Sequence, residues 1–471
     1  MSVWRARLMG LTLTVVVGAT LLLLFGDWLA LQAVAGAGYL AFVLLVMVRA
    51  VPRDYWFVGA AAALSVAVLA VRPDPWPVLG KAVLMAAYFT TFLLALNMLR
   101  DAARSSVAVR RCGNYVIAQP PGRRYIALTA AAHVFAMILS YGVVNLLGTM
   151  VKRANTMAAA GGDRRRFKIR EKRMMLAVLR GQCTMVGWSP LSILIALTVS
   201  LVPGLTWTAI APVGAVCSAL FLTVGWALDR IEWRAPAASA APLMAPRYGF
   251  ARSVPPMLAV LAGIMAMVTG ANMLLSLSMV GATMLMLPFF SVLWIAVQFR
   301  RLGPRRMLAM TRRRVGRWPT GEFVASRSEA LIISTAAYIG AVLAALIPED
   351  AIETLIARAD LPWLALAIAM AAVVTLVGQI GVNSLVMLTL IGSSLHHMPA
   401  DGLPSVLLAV ALLGGSSLSI ASSPYGTPVV LIGSLTGESP EKIGRAWNGP
   451  FTIAAFVVLC LYLAAIDWLR P

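Results

Sequence analysis

The residues of this chain that could do chemistry are Asn, Ser, Thr and Gly placed inside membrane-length apolar runs. Near the C-terminus Gly414-Gly415-Ser416-Ser417-Leu418-Ser419-Ile420-Ala421-Ser422-Ser423-Pro424-Tyr425-Gly426-Thr427-Pro428 interrupts one such run. A helix broken inside hydrocarbon exposes backbone groups, each costing several kcal/mol unless protein or a water-filled cavity satisfies it. Carbonyls and hydroxyls gathered there suit a hard cation, and the N-terminus of a half-helix suits an anion. The chemistry on offer is the binding of ions and small solutes.

A partner stretch lies earlier, Thr184-Met185-Val186-Gly187-Trp188-Ser189-Pro190, which reads against Ser422-Ser423-Pro424-Tyr425-Gly426-Thr427-Pro428. Upstream of each stands an asparagine among small apolar residues, in Gly142-Val143-Val144-Asn145 and Gly381-Val382-Asn383. Pro190 to Pro428 and Asn145 to Asn383 are the same interval. Two landmarks at one interval indicate an internal repeat. Plainer roles stand beside the functional ones. Asn145 and Asn383 could bond between helices, Thr184, Ser189, Ser422 and Thr427 could bond to their own helix backbone, and His133 could be a structural hydrogen-bonding group.

The elements that must position these residues follow from composition. Hydrophobic residues are 60% of 471 and charged residues 12%, far from the soluble balance, so the chain reads as an all-α polytopic membrane protein. Its net charge of +21 falls in short loops between apolar spans, which fits membrane topology and not nucleic acid. Cys112, Cys183, Cys217 and Cys460 form no metal spacing and no disulfide framework. Arg5 and Arg7 precede an apolar run without a small-residue cleavage site, so the first helix reads as retained.

Apolar length places spans near 9–26, 30–48, 55–71, 82–99, 209–228, 257–273, 277–298, 330–347 and 449–466, with broken helices at 174–202 and 404–436. A surface helix is expected over Asp101–Val109. Residues 125–151 start and end at basic loops, so they should dip in from the cytoplasmic side and return as a re-entrant hairpin. Residues 362–394 lie between the acidic loop 348–361 and Leu395-His396-His397-Met398-Pro399-Ala400-Asp401, which has no Lys or Arg, so this second hairpin enters from outside. The chain thus divides into a first half, 1–228, a linker at 229–256 and an inverted second half, 257–471. Arg300–Arg317, with eight arginines and no acid, reads as a cytoplasmic anchor or lipid-facing helix.

About eleven spans, two opposed hairpins carrying asparagine, and helices broken at Gly187-Trp188-Ser189-Pro190 and Gly426-Thr427-Pro428 resemble the ion transporter superfamily. The pattern is most similar to the divalent anion/sodium symporters, with the arsenite and sodium/proton antiporter branches more distant. In that family each tip carries Ser-Asn-Thr; here the matching tips are Val144-Asn145-Leu146 and Val382-Asn383-Ser384. The resemblance implies one sodium site at Asn145, Thr184 and Gly187, and another at Asn383, Ser422 and Gly426. It implies solute contacts from Asn145, Asn383, Ser384, Ser189 and Thr427.

Arg180, a permanent charge inside a span, either snorkels to the surface or lines a vestibule that attracts an anion. No Asp or Glu lies within the spans. Sodium, which needs only oxygens, is therefore the expected coupling ion, and a proton carried by His133 is the alternative. The sequence lacks paired carboxylates, a ligand cluster or a nucleophile elbow, which disfavours the rival reading, a membrane-embedded glycan polymerase or ligase. The function expected is secondary active transport of a small, anionic solute across a bacterial inner membrane, with the N-terminus cytoplasmic and no cofactor beyond sodium. The expected partners are lipid, the solute and a second copy in a homodimer.

Overall fold

The computed structural model describes residues 3–48, 50–233, 248–346, 362–395 and 403–470, and every regular element among them is helical. The helices are α1 (Val3–Leu22), α2 (Leu29–Met47), α3 (Pro52–Val71), α4 (Trp76–Arg104), α5 (Val107–Ile117), α6 (Pro121–Leu139), α7 (Gly142–Ala154), α8 (Arg164–Thr184), α9 (Ile193–Leu201) and α10 (Trp207–Glu232). They continue as α11 (Phe250–Ser253), α12 (Pro255–Leu275), α13 (Met279–Phe299), α14 (Pro304–Val315), α15 (Arg327–Leu346), α16 (Trp363–Val377), α17 (Ser384–Leu395), α18 (Ser405–Ser422), α19 (Thr427–Thr436) and α20 (Gly449–Trp468).

Eleven of these segments are long and apolar enough to cross a membrane, and the protein is multi-pass. The membership differs from the sequence expectation in one place. Trp363–Ile380, the first arm of the second hairpin, qualifies, whereas α8 does not, because its first turns are crowded with Arg and Lys. The surface helix expected over Asp101–Val109 is divided instead. α4 runs on to Arg104, and Ser106 starts a new helix by accepting the Val109 N–H at its Oγ (3.5 Å). The acidic loop 348–361, the His396-His397 segment and most of the 229–256 linker lie outside the described residues.

Two compact units form, and each draws on both sequence halves. One comprises 1–105, 263–358 and 389–398. Its α4 is mostly buried, and at the end of α4 the Asp101 carboxylate accepts from Arg314 Nε (2.9 Å) and the Trp318 indole (3.0 Å). The other comprises 106–262, 359–388 and 399–471, and it contains the first hairpin, the first arm and tip of the second, and both broken helices.

Within this second unit the directions of the helices follow from their contacts. α8 runs antiparallel to α10, because Arg173 meets Asp229 while Gly187 meets Gly214. α10 runs antiparallel to α20, through Gly225 with Phe451 and Val213 with Tyr462. α20 runs antiparallel to α18, through Asn448 with Ala421 and Leu459 with Gly414. The two broken helices, α8–α9 and α18–α19, therefore point in opposite directions.

Candidate substrate and ion site

The first hairpin is α6 and α7 joined at Ser140 and Tyr141, with Ser140 at a φ of 49°. Its broken helix leaves α-geometry over 185–192, a 3-10 turn at Met185–Gly187 followed by turns up to Ser192, which precedes α9. A hydrogen-bond relay fills this break. The Trp188 indole donates to His133 Nε2 (3.0 Å), so Nδ1 carries the histidine proton and donates to Thr184 Oγ1 (3.0 Å). Thr184 Oγ1 donates in turn to the Gly181 carbonyl (3.1 Å). The two rings stack at 5.9 Å, and the Trp207 indole donates to the Trp188 carbonyl (3.0 Å). Ser218 Oγ satisfies the Thr184 carbonyl (2.8 Å). The Gly187 carbonyl lies so close to Gly214 that a Cβ on Gly214 would overlap it. Thr184, Gly187 and Ser189 are all buried, and Ser189 Oγ accepts from the nearby Leu191 N–H (3.2 Å).

The second hairpin distributes its irregular chain the other way. Its tip is long, a 3-10 turn at Gly378–Ile380 followed by Gly381, Val382 and Asn383, while its break is short, 423–426. Gly381 has a φ of 98° beneath the Tyr425 ring, a conformation that favours glycine. Gln379 Nε2 donates to Ser422 Oγ (2.7 Å), and Ser423 Oγ donates to the Gly378 carbonyl (2.7 Å). These two bonds clamp tip to break. Arg445, on a π-helical turn at Lys442–Trp447, donates from Nη2 to the Gln379 carbonyl (3.0 Å). Around the clamp Asn383, Tyr425, Thr427 and Arg445 are exposed, and Thr427-Pro428 open α19, whose N-cap Gly426 supplies no side-chain cap.

Arg180 joins the two broken helices. It is 3% exposed, and it donates from Nε to Asn448 Oδ1 (2.8 Å) and from Nη1 to the Tyr125 hydroxyl (2.9 Å) and the Gly225 carbonyl (3.3 Å). Its guanidinium carbon stands 4.8 Å from the Phe451 ring centre. Asn448 passes the link on by donating to the Ala421 carbonyl (2.9 Å), in the last turn of α18. A cation is thereby set against the negative end of a half-helix. Among the described residues no carboxylate pairs with Arg180. The side chain neither snorkels nor stands open in a vestibule, because four neutral partners, on α6, on α10, at the N-cap of α20 and in its first turn, enclose it.

At the charged end of this unit Glu171, 2% exposed on its side chain, bridges Lys152 (3.4 Å) and Lys168 (3.3 Å). Lys168 also meets Glu438 (3.2 Å), which Lys442 shares (2.8 Å). Hydrogen bonds from Lys442 and then Lys168 hold the Glu438 carboxyl below its ordinary value. Burial opposes the charge on Lys168, but its bonds to Glu438 and Glu171 outweigh burial and raise it.

No known family's sequence pattern matches the chain, and no curated protein matches it by sequence. Solved structures do match. The YdaH transporter of Alcanivorax borkumensis aligns with a TM-score of 0.59 at 12% identity, over 88% of this chain and 98% of that one. MtrF of Neisseria gonorrhoeae, described with a class of antimetabolite efflux pumps, aligns at 0.57 and 11% identity, over 89% of this chain and 97% of that one. The chain shares the fold of these two proteins. Membership of the divalent anion/sodium symporters is not among these findings.

The structure corrects the register inferred from equal sequence intervals. Asn383 caps α17, its Oδ1 accepting the Leu385 N–H (2.9 Å), but the residue capping α7 is Tyr141, and Asn145 lies inside that helix. Asn145 is exposed and, among the described residues, accepts one long bond, from Thr149 Oγ1 (3.5 Å); no described hydrogen bond joins it to Thr184 or Gly187. Likewise Thr427-Pro428 begin α19, while Ser189-Pro190 sit within the first break. Of the second set, Ser422 ends α18 and Gly426 precedes α19, one on each side of the break, and it is Gln379 that brings the tip to Ser422. Ser384 is buried in the first turn of α17. Gln379, Trp188, Arg445 and Asn448 escaped the sequence reading. A signal existed for Gln379, the one amide in the apolar run before Gly381.

Proposed function

We propose that this protein is a secondary active transporter carrying a small anionic solute, with sodium as the coupling ion. The observation that supports it best is the clamp at the second break, where exposed Asn383, Thr427 and Tyr425 surround a half-helix N-terminus. Beside them Arg445 has one nitrogen on the Gln379 carbonyl and leaves the rest of its fork for a carboxylate or phosphate. Substrate is held here, by Arg445 and the α19 N-terminus, and Arg180 ties the two breaks together.

Sodium is favoured over the proton because the titratable group at the first break, His133, has both ring nitrogens occupied by Trp188 and Thr184. Carbonyls and hydroxyls at Ser422, Ser423 and Gly426 offer a cation oxygens without a proton seat. The likeness to MtrF, whose description names efflux, supports export by an ion-driven antiporter as the second reading.

Uptake and efflux of labelled anions by proteoliposomes, under imposed sodium or proton gradients, tests the proposal. A sodium gradient should drive flux, and Asn383→Ala should weaken the sodium dependence more than Asn145→Ala. Flux driven by a proton gradient alone would overturn sodium coupling. Absence of gradient-driven flux for every solute class would overturn transport.

A further inference from the structure

The transport reading leaves unused the most basic element of the other unit. α14 lies between α13 and α15, two segments long and apolar enough to cross a membrane, so it sits at the bilayer surface where they emerge. Arg314 and Thr311 face inward. Arg314 bonds the Asp101 carboxylate, the Asp101 carbonyl and Ser105, and Thr311 is buried.

Turned outward at about 3.6 residues per turn, Ala309 is exposed and has arginines at i−4, i−3, i+3 and i+4: Arg305, Arg306, Arg312 and Arg313. All four are exposed, and among the described residues none has an ion pair or hydrogen-bond partner for its guanidinium. Leu308, 68% exposed, and Met310, 40% exposed, flank the ring. An apolar flank beside a cluster of unpaired arginines suits the boundary between acyl chains and anionic headgroups. A small residue at the centre lets a phosphate approach guanidiniums on both sides, each able to bond it bidentately.

We infer that α14 binds the phosphate headgroups of anionic phospholipids in its leaflet, with Ala309 as the floor of the site and Arg305, Arg306, Arg312 and Arg313 as its walls. Charge complementarity selects this occupant, since no acid lies in Arg300–Arg317. The side chains that attach α14 to α4 are different ones, so lipid binding and attachment are separable.

The experiment uses the full-length protein in neutral detergent, with phosphatidylglycerol or phosphatidylcholine added. Bound lipid is counted by native mass spectrometry, and thermal unfolding is followed in parallel. The wild type should prefer phosphatidylglycerol by about tenfold or more, and replacing all four wall arginines with Gln should remove most of that preference. Ala309→Glu, which places a negative charge inside an intact ring, should do the same. Arg314→Gln should lower the unfolding midpoint in every condition but keep the preference. Equal binding of both lipids by the wild type, or an undiminished preference in both the four-Gln and Ala309→Glu variants, would overturn the inference. So would inorganic phosphate stabilising the protein as well as the lipid does, since that would identify a free-anion site.

Discussion

The two repeats of the hairpin-bearing unit solve one problem in opposite ways. The first has a two-residue tip, Ser140-Tyr141, and a long break at 185–192; the second has a long tip at 378–383 and a short break at 423–426. Where the break is long, an aromatic and histidine relay fills it, and Thr184, Gly187 and Ser189 are buried and bonded internally. Where the tip is long, Gln379 and Ser423 clamp it, and Asn383, Tyr425, Thr427 and Arg445 are left exposed. Inverted repeats need not carry equal roles. Here one break is closed by its own side chains, and the other presents polar groups to whatever enters.

The largest effect should come from the residue that binds the halves together. Arg180→Ala strips Asn448, Tyr125 and Gly225 of a buried donor, and unfolding in detergent should show a loss of about 3 kcal/mol; an unchanged midpoint would mean the breaks are not tied through it. His133→Ala should destabilise by about 2 kcal/mol, since both Trp188 and Thr184 lose their partner. Its apparent substrate constant should stay at the wild-type value, and a large rise would place substrate at the first break. Arg445→Gln should do the reverse. The constant should rise by about tenfold, equivalent to about 1.4 kcal/mol of lost charge-assisted bonding, with little change in the unfolding midpoint.

The smallest effect belongs to Glu438→Gln, below about 1 kcal/mol for a partly exposed pair. The Glu438 carboxyl is depressed from 4.5, so its contribution is present above that value and is lost as pH falls through the folded value. Lys168 is raised from 10.5, so its contribution is present below that value and is lost as pH rises through the folded one. Between these limits the variant's deficit should not vary with pH.

Much of this arrangement was legible in the sequence. Apolar length marked the spans, Lys and Arg marked the base of the first hairpin, and Gly-Trp-Ser-Pro and Gly-Thr-Pro marked the breaks, because each feature acts within one or two turns of chain. The correspondence of Asn145 with Asn383 was misleading for a physical reason. The first repeat's shorter tip is offset by a longer stretch between tip and break, 142–184 against 384–422, so the interval from tip to break stays constant while the helix caps shift. Arg180 was visible as a buried charge, yet its setting was not, since Tyr125, Gly225, Asn448 and Phe451 come from three other elements. Gln379 was overlooked because Asn383, closer to the expected pattern, offered the same chemistry.

Thiol labelling measures most directly whether the second break, and not the first, receives the solute. Single cysteines at Thr427 and Ser189, in a background with Cys112, Cys183, Cys217 and Cys460 replaced by Ala, are exposed to a small thiol reagent with and without the transported anion. Thr427→Cys should react and be protected by the anion, and Ser189→Cys, wholly buried in the first break, should react slowly and be indifferent to it. Protection at Ser189→Cys, with none at Thr427→Cys, would contradict the account.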